Sequence, residues 1–236
     1  MWLTKSSIGR KVVMSVSGLF LILFLLFHAT MNLVAVFSKS GYDLITGFLG
    51  TNAIVQFMVP ILALGVIVHV VYALILTLQN RKARGNDRYD LTGRSDVQWA
   101  AKNMFVLGLI IFIGIVLHLT HFWDKMQLRE WMGDEPANGF ELIQHYFSNI
   151  WILVIYLVWF IAIWYHLTHG FWSAFQTLGW SNTIWYKRLH VLGVVFATII
   201  CAMFAFTAIA FYLQSIDVWP SVGYIWKLGE HAAVAM

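Results

Sequence analysis

Nine histidines stand in this 236-residue chain, and the spacing of several carries chemical meaning. The stretch from Trp164 to Trp172, W-Y-H-L-T-H-G-F-W, places His166 and His169 three residues apart, just ahead of Gly170. The same four letters, H-L-T-H, recur at His118 to His121, while His28 and His69 sit in two further apolar runs. Lipid tolerates ionisable side chains poorly, so an intramembrane histidine needs a partner, a cofactor or a water-filled path. Neutral imidazole keeps one nitrogen lone pair and is therefore a metal ligand as well as a hydrogen-bonding group. Two imidazoles facing each other across a helical bundle suit the iron of a haem.

The elements that must position these rings are apolar runs. Five stand out: Val12 to Phe37, Ile54 to Leu78, Phe105 to Trp123, Ile150 to Phe175, and Leu189 to Leu213. Each reaches or exceeds the ~20 residues that a spanning helix needs, or comes within one of it. Val218 to Trp226 is too short for a sixth. The chain therefore reads as all-α, one transmembrane domain over residues 1–236 built from five helices. The first run follows Lys5, Arg10 and Lys11 as a signal peptide would, but it is longer than the ~7–15 apolar residues of such a segment and shows no clear small-residue cleavage site. It reads as a retained signal-anchor helix.

Composition narrows the class further. With 60% hydrophobic and 11% charged residues, the chain is not a soluble globular domain. Twelve tryptophans and nine tyrosines suit a protein with two membrane interfaces to line. The single Cys201 excludes an internal disulfide, a Cys-x-x-Cys-His haem attachment and an iron–sulfur cluster held by this chain alone. The net charge of +4 does not point to nucleic acid, because no polar domain exists to present a basic face.

The basic residues instead read as a topological signal. The N-terminus, the loop from Arg81 to Lys102 and the Lys187-Arg188 turn carry eleven of the fifteen Lys and Arg residues. Lys39, Lys125, Arg129 and Lys227 make up the rest, on the opposite side. The positive-inside rule then places the N-terminus in the cytoplasm and the C-terminus outside. The basic loop also offers a docking surface for a cytoplasmic partner. Outside, the connection from Asp124 to Asn149 reads as a solvated loop with room for a short interfacial helix.

Depth follows from this orientation, with helices one and three running outward and two and four inward. Measured from each segment's midpoint, His28 and His118 fall on the outer side and His69 and His166 on the inner side. At 1.5 Å per residue the two levels lie roughly 8 to 12 Å apart. A flat macrocycle also needs room, which small residues one turn from the ligand supply. Gly65 and Ala73 flank His69, Gly114 precedes His118, and Ala162 and Gly170 bracket His166, whereas His121 and His169 have larger neighbours. The expected ligands are thus His28 with His118 and His69 with His166. His28 is the exception to the small-residue pattern, with Phe24 and Asn32 one turn away. His121, His169 and His190 are expected nearer the surfaces, in hydrogen-bonding, propionate-binding or proton-relay roles. His145 and His231 lie outside.

On these residues the chain resembles the single-chain, five-helix, dihaem cytochrome b anchors of succinate:quinone oxidoreductases, including quinol:fumarate reductases. The pieces that carry the resemblance are F-H-A-T-M-N at Phe27 to Asn32, V-H-V-V-Y at Val68 to Tyr72, G-L-I-I-F-I-G-I-V-L-H at Gly108 to His118, and Y-H-L-T-H-G-F-W-S at Tyr165 to Ser173. The resemblance runs from Ser6 to about Tyr212, and its most specific element is the helix-four His-x-x-x-Gly-aromatic-aromatic pattern. It implies the same four haem ligands and the same pairing, helix one with three and two with four. Two departures stand out. Where some relatives use a glutamate two residues before the helix-four histidine in a transmembrane proton route, this chain has Trp164. Where some have a lysine eleven residues after it, near a haem propionate, this chain has Thr177.

The resemblance implies a subunit of succinate dehydrogenase or fumarate reductase, in the respiratory chain and the tricarboxylic acid cycle, in a bacterial inner membrane. Two haem b groups in this chain would connect a cytoplasmic flavoprotein (FAD) and iron–sulfur subunit pair with quinone, menaquinone in particular, near the outer face. The dicarboxylate chemistry would belong to the flavoprotein. Asp43, Glu130 and Glu141, with His121, are the outer groups able to serve quinone-linked protons. Trp99 reads as an interfacial anchor. Two other readings stay open: the cytochrome b subunit of a hydrogenase or formate dehydrogenase, and a haem-free proton-coupled transporter, for which no internal repeat or interrupted helix pair speaks.

Overall fold

The computed structural model describes residues 6–84, 99–180 and 182–220. Most of the basic loop, the C-terminal segment with Lys227 and His231, and most of Val218 to Trp226 lie outside the described residues.

Among the described residues the chain is all-α. The helices are α1 (Ser7–Phe37), α2 (Lys39–Thr51), α3 (Ala53–Arg84), α4 (Trp99–Lys102), α5 (Met104–His118), α6 (Arg129–Met132), α7 (Gly139–Phe147), α8 (Ile150–Thr177) and α9 (Thr183–Ser215), with a π-helical segment, Leu119–Leu128, continuing α5 into α6. Their starts are set by short polar side chains that accept from otherwise unpaired first-turn N–H groups. Ser6 Oγ accepts from Gly9 N at 2.9 Å, Ser38 Oγ from Gly41 N at 3.0 Å and Asn52 Oδ1 from Ile54 N at 3.0 Å. Asn138, Asn149 and Asn182 open α7, α8 and α9 in the same way. Two helices end on glycines in the left-handed region, Gly133 (φ 81°) after α6 and Gly179 (φ 82°) after α8. There a Cβ would be strained, so glycine is the natural stop.

Five stretches are long and apolar enough to cross a membrane: Ser7–Phe37, Ala53–Ala83, Met104–Met132, Ile150–Thr177 and Thr183–Ser215. The shortest, of 28 residues, would extend about 42 Å as an α-helix, more than the ~30 Å of a bilayer's hydrocarbon core. Leu23, Leu64, Ile113, Trp151 and Val191 are exposed on them, as side chains facing lipid would be. This is the make-up of a multi-pass membrane protein. Pro60 lies inside α3 without ending it; in spanning helices neighbouring groups re-satisfy the backbone that proline frees.

One connection differs from the solvated loop expected of it. The segment Asp124 to Asn149 is largely helical: the π segment runs on to Leu128, α6 adds a turn, and α7 buries Gly139, Phe140, Ile143 and Phe147. Between the first two spans, α2 buries Tyr42. The cause is local amphipathicity in segments too short to register against five apolar runs.

The chain divides into two compact units, each drawing on several helices. Among the described residues, one comprises 6–24, 59–84, 99–109, 163–180 and 182–198; the other comprises 25–58, 110–162 and 199–220. In the first, Ser15, Ser17, Ile22, Leu107, Leu167 and Leu189 are among the buried residues. In the second, Val36, Ile200 and Phe211 are the largest side chains buried completely. Here α2 and α7 meet: Asn138 donates to Asp43 (3.0 Å), and the Lys39 ammonium lies 4.8 Å from the Phe140 ring centroid.

Candidate functional site

The first unit holds His69 on α3 and His166 on α8, both half-buried. Their ring centroids lie 6.2 Å apart, with the planes inclined at 69°. The second unit holds His28 on α1 and His118 at the end of α5, with centroids 5.7 Å apart and planes inclined at 83°. The four expected ligands thus meet as two pairs, in the combination read from their depths. Metal–imidazole nitrogen bonds are about 2.0–2.1 Å long, and each nitrogen lies about 1 Å from its ring centroid. Two imidazoles on opposite sides of one ion therefore place their centroids about 6 Å apart.

Each ring has specific neighbours. Phe204 lies 5.7 Å from His28, and Trp159 lies 5.8 Å from His118. Asn32 donates to the His28 carbonyl at 2.8 Å and presents the same amide to the His28 ring. Around the first pair, Ser17 Oγ lies 3.2 Å from His69 Nδ1. A Cβ on Gly18 would stand 3.3 Å from His69 Cε1, so α1 approaches this ring closely.

The small residues play unequal parts. Nothing lies within 4 Å of where a Gly170 side chain would be, which leaves space near His166. Gly114 instead makes way for the Trp159 indole, whose Nε1–H donates to the Ile111 carbonyl at 3.1 Å. Gly65 admits the Phe20 ring. The room expected at Gly114 and Gly65 is therefore occupied by aromatic side chains, which a one-turn count along a single helix does not reveal.

The second histidine of each H-L-T-H stretch has different surroundings. His121 stacks on Tyr146, with centroids 4.0 Å apart and planes inclined at 11°, and its Nδ1 lies 3.1 Å from the Tyr156 hydroxyl. Tyr156 also reaches the His118 ring edge-on. His169 contacts Trp172, which contacts His190 in turn.

A haem fits the first unit's residues on a second observation. Arg10 Nε, His169 Nδ1 and Trp172 Nε1 are all buried there without a protein partner. Buried polar atoms are normally paired, and a macrocycle carrying two carboxylates would offer partners to such donors. Among the described residues no group of three or more His, Cys, Asp or Glu side chains gathers as a bare-metal site. Two imidazoles alone suit an ion whose other ligands come from a macrocycle.

The three candidate carboxylates separate. Asp43 pairs with Lys39 at 3.1 Å and accepts from Asn138. Glu141 is exposed in the first turn of α7. Glu130 is half-buried, with its carboxylate oxygens 3.3 Å from where a Gly50 Cβ would be, and it accepts from Gln127 at 3.4 Å. Gln127 and Gln56 bond each other, and Trp131 Nε1–H donates to Gln56 at 2.9 Å. Sequence reasoning missed this amide cluster and Ser17, although polar residues in or beside apolar runs are a signal in their own right. Trp99 is exposed and packs on Tyr165 at 5.1 Å.

Comparison with protein-family models, with curated proteins and with solved structures finds no match to this chain.

Proposed function

We propose that this chain is a dihaem cytochrome b that anchors a succinate:quinone oxidoreductase or quinol:fumarate reductase. The single observation that carries the reading is the pairing: four histidines from four apolar helices meet as two couples at the separation of imidazoles on one ion. His69 and His166 would hold one haem b, and His28 and His118 the other. Bound there, each haem supplies one-electron transfer at a potential set by its ligands and surroundings.

The chain's own residues do the rest. The helices hold each imidazole pair in register, and His169, Trp172 and Arg10 offer donors to the propionates of the first haem. Glu130, with Gln127 and Gln56, offers a proton-exchanging carboxylate among hydrogen-bonding amides, the equipment a quinone headgroup needs. Asp43 is tied to Lys39, so Glu130 is the better candidate of the outer carboxylates. The Lys and Arg distribution supports an N-terminus in the cytoplasm and a C-terminus outside. A flavoprotein and iron–sulfur pair would then dock on the cytoplasmic side, in a bacterial inner membrane. The family resemblance supplies succinate and menaquinone.

The experiment is to isolate the tagged chain from its own membrane and identify what comes with it. Co-isolation of an FAD subunit and an iron–sulfur subunit, with succinate-dependent quinone reduction or quinol-dependent fumarate reduction, is the expected result. Co-isolation of a hydrogenase or formate dehydrogenase would move the same cytochrome to a different complex. A colourless chain would overturn the reading.

A further inference from the structure

One contact of His69 bears on which of its nitrogens is free. Ser17 is a buried hydroxyl in the apolar run of α1. Its Oγ lies 3.0 Å from the Met14 carbonyl and 3.2 Å from His69 Nδ1. A hydroxyl has one proton to give, and a carbonyl oxygen can only accept. The Ser17 proton therefore goes to Met14. The contact with His69 must then run the other way, with Nδ1–H donating to the Ser17 oxygen. An acceptor at Nδ1 selects the tautomer that carries its proton there and leaves Nε2 with a bare lone pair.

We propose that Ser17 is a positioning residue for the first haem: it fixes His69 in the Nδ1-protonated tautomer, so that Nε2 is the nitrogen presented to iron. This rests on the functional reading above and goes one step beyond it. A hydrogen bond from the far nitrogen also makes an imidazole a stronger donor to its metal, which favours the oxidised ion. His166 Nδ1 has no such partner. The two ligands of this pair are therefore unequal, and Ser17 is the source of the difference.

The test uses the full chain with its haems, as wild type and as Ser17→Ala and Ser17→Thr. In a redox titration, Ser17→Ala should raise the reduction constant of one haem, the one that His69→Leu abolishes, about threefold. That is a positive shift of about 30 mV at 59 mV per decade for one electron. The other haem should not move. Ser17→Thr keeps the oxygen and should titrate as wild type. Ring-nitrogen resonances of ¹⁵N-labelled His69 give a readout that needs no haem: Nδ1-protonated in wild type and Ser17→Thr, a mixture of tautomers in Ser17→Ala. An Nε2-protonated His69 in the haem-free wild-type chain overturns the proposal without any variant. So does a Ser17→Ala protein with unchanged potential and unchanged resonances, or a Ser17→Thr protein that behaves as Ser17→Ala. A chain that takes up no haem would end the functional reading, while the His69 resonances still decide the tautomer.

Discussion

The Trp159 indole occupies the space that any side chain on Gly114 would need. Trp159 in turn lies 5.8 Å from the His118 ring and donates to the Ile111 carbonyl at 3.1 Å. A glycine one turn before a ligand thus sets that ligand's environment through a third residue on another helix. Gly114→Ala should push the indole out and break its hydrogen bond. Overpacking of this kind costs about 1–3 kcal/mol. Loss of thermal stability in detergent, with less of the His28–His118 haem retained, is the expected outcome; an unchanged spectrum and midpoint would contradict it.

The ligand choice on α5 has its own test. His118 faces His28, whereas His121 stacks on Tyr146 and bonds Tyr156. His28→Leu and His118→Leu should each remove the same haem, and His69→Leu and His166→Leu the other. His121→Leu should keep both. Optical and electron-paramagnetic spectra of the five variants decide it, and haem loss in His121→Leu alone would reassign the ligand.

Glu130 should matter to quinone and not to haem. Glu130→Gln keeps the shape and the bond to Gln127 while removing the exchangeable proton. Quinone-linked turnover should fall about a hundredfold, the lower end of what a positioned acid–base group contributes. Haem content and midpoints should stay. Asp43→Asn, whose carboxylate is already engaged by Lys39, should reduce turnover far less.

Tyr42 gives the α2–α7 region a pH limit. Burial, with Asp43 beside it, pushes the Tyr42 phenol up to about 12, against about 10 in an unfolded chain. A raised acid gives stability that is whole below pH ~10 and lost as pH rises toward 12, because the unfolded chain ionises first. The loss should reach about 2–3 kcal/mol. Unfolding midpoints measured from pH 8 to 12 should therefore fall more steeply for wild type than for Tyr42→Phe. Parallel curves would remove Tyr42 as the cause.

How much of this was legible in the sequence depends on the range of each interaction. The five spans could be read because apolar length is a property of consecutive residues, and Val12 to Phe37 differs from α1 only by its capped first turn. The pairing of His28 with His118 and His69 with His166 could be read because depth along a straight helix is a residue count. What a count cannot give is the partner across a helix interface. Ser17 and His69 are 52 residues apart, and nothing local marks the serine as a partner for that ring. Trp159 in the Gly114 space is another such case. The π segment Leu119–Leu128 was hidden for a different reason: wider i→i+5 bonding uses the same apolar residues as an α-helix. The charged Asp124 and Lys125 then read as a helix end. α2 and α7 were hidden by their shortness.

The central claim is that four imidazoles hold two haems in this one chain. The most direct measurement is a dithionite-reduced minus oxidised spectrum, with pyridine haemochrome quantitation, on chain purified from haem-replete cells. Two b-type haems per polypeptide, each abolished by losing either member of one histidine pair, is the predicted result. A polypeptide free of haem, or one whose haem survives the loss of all four histidines, would contradict the account.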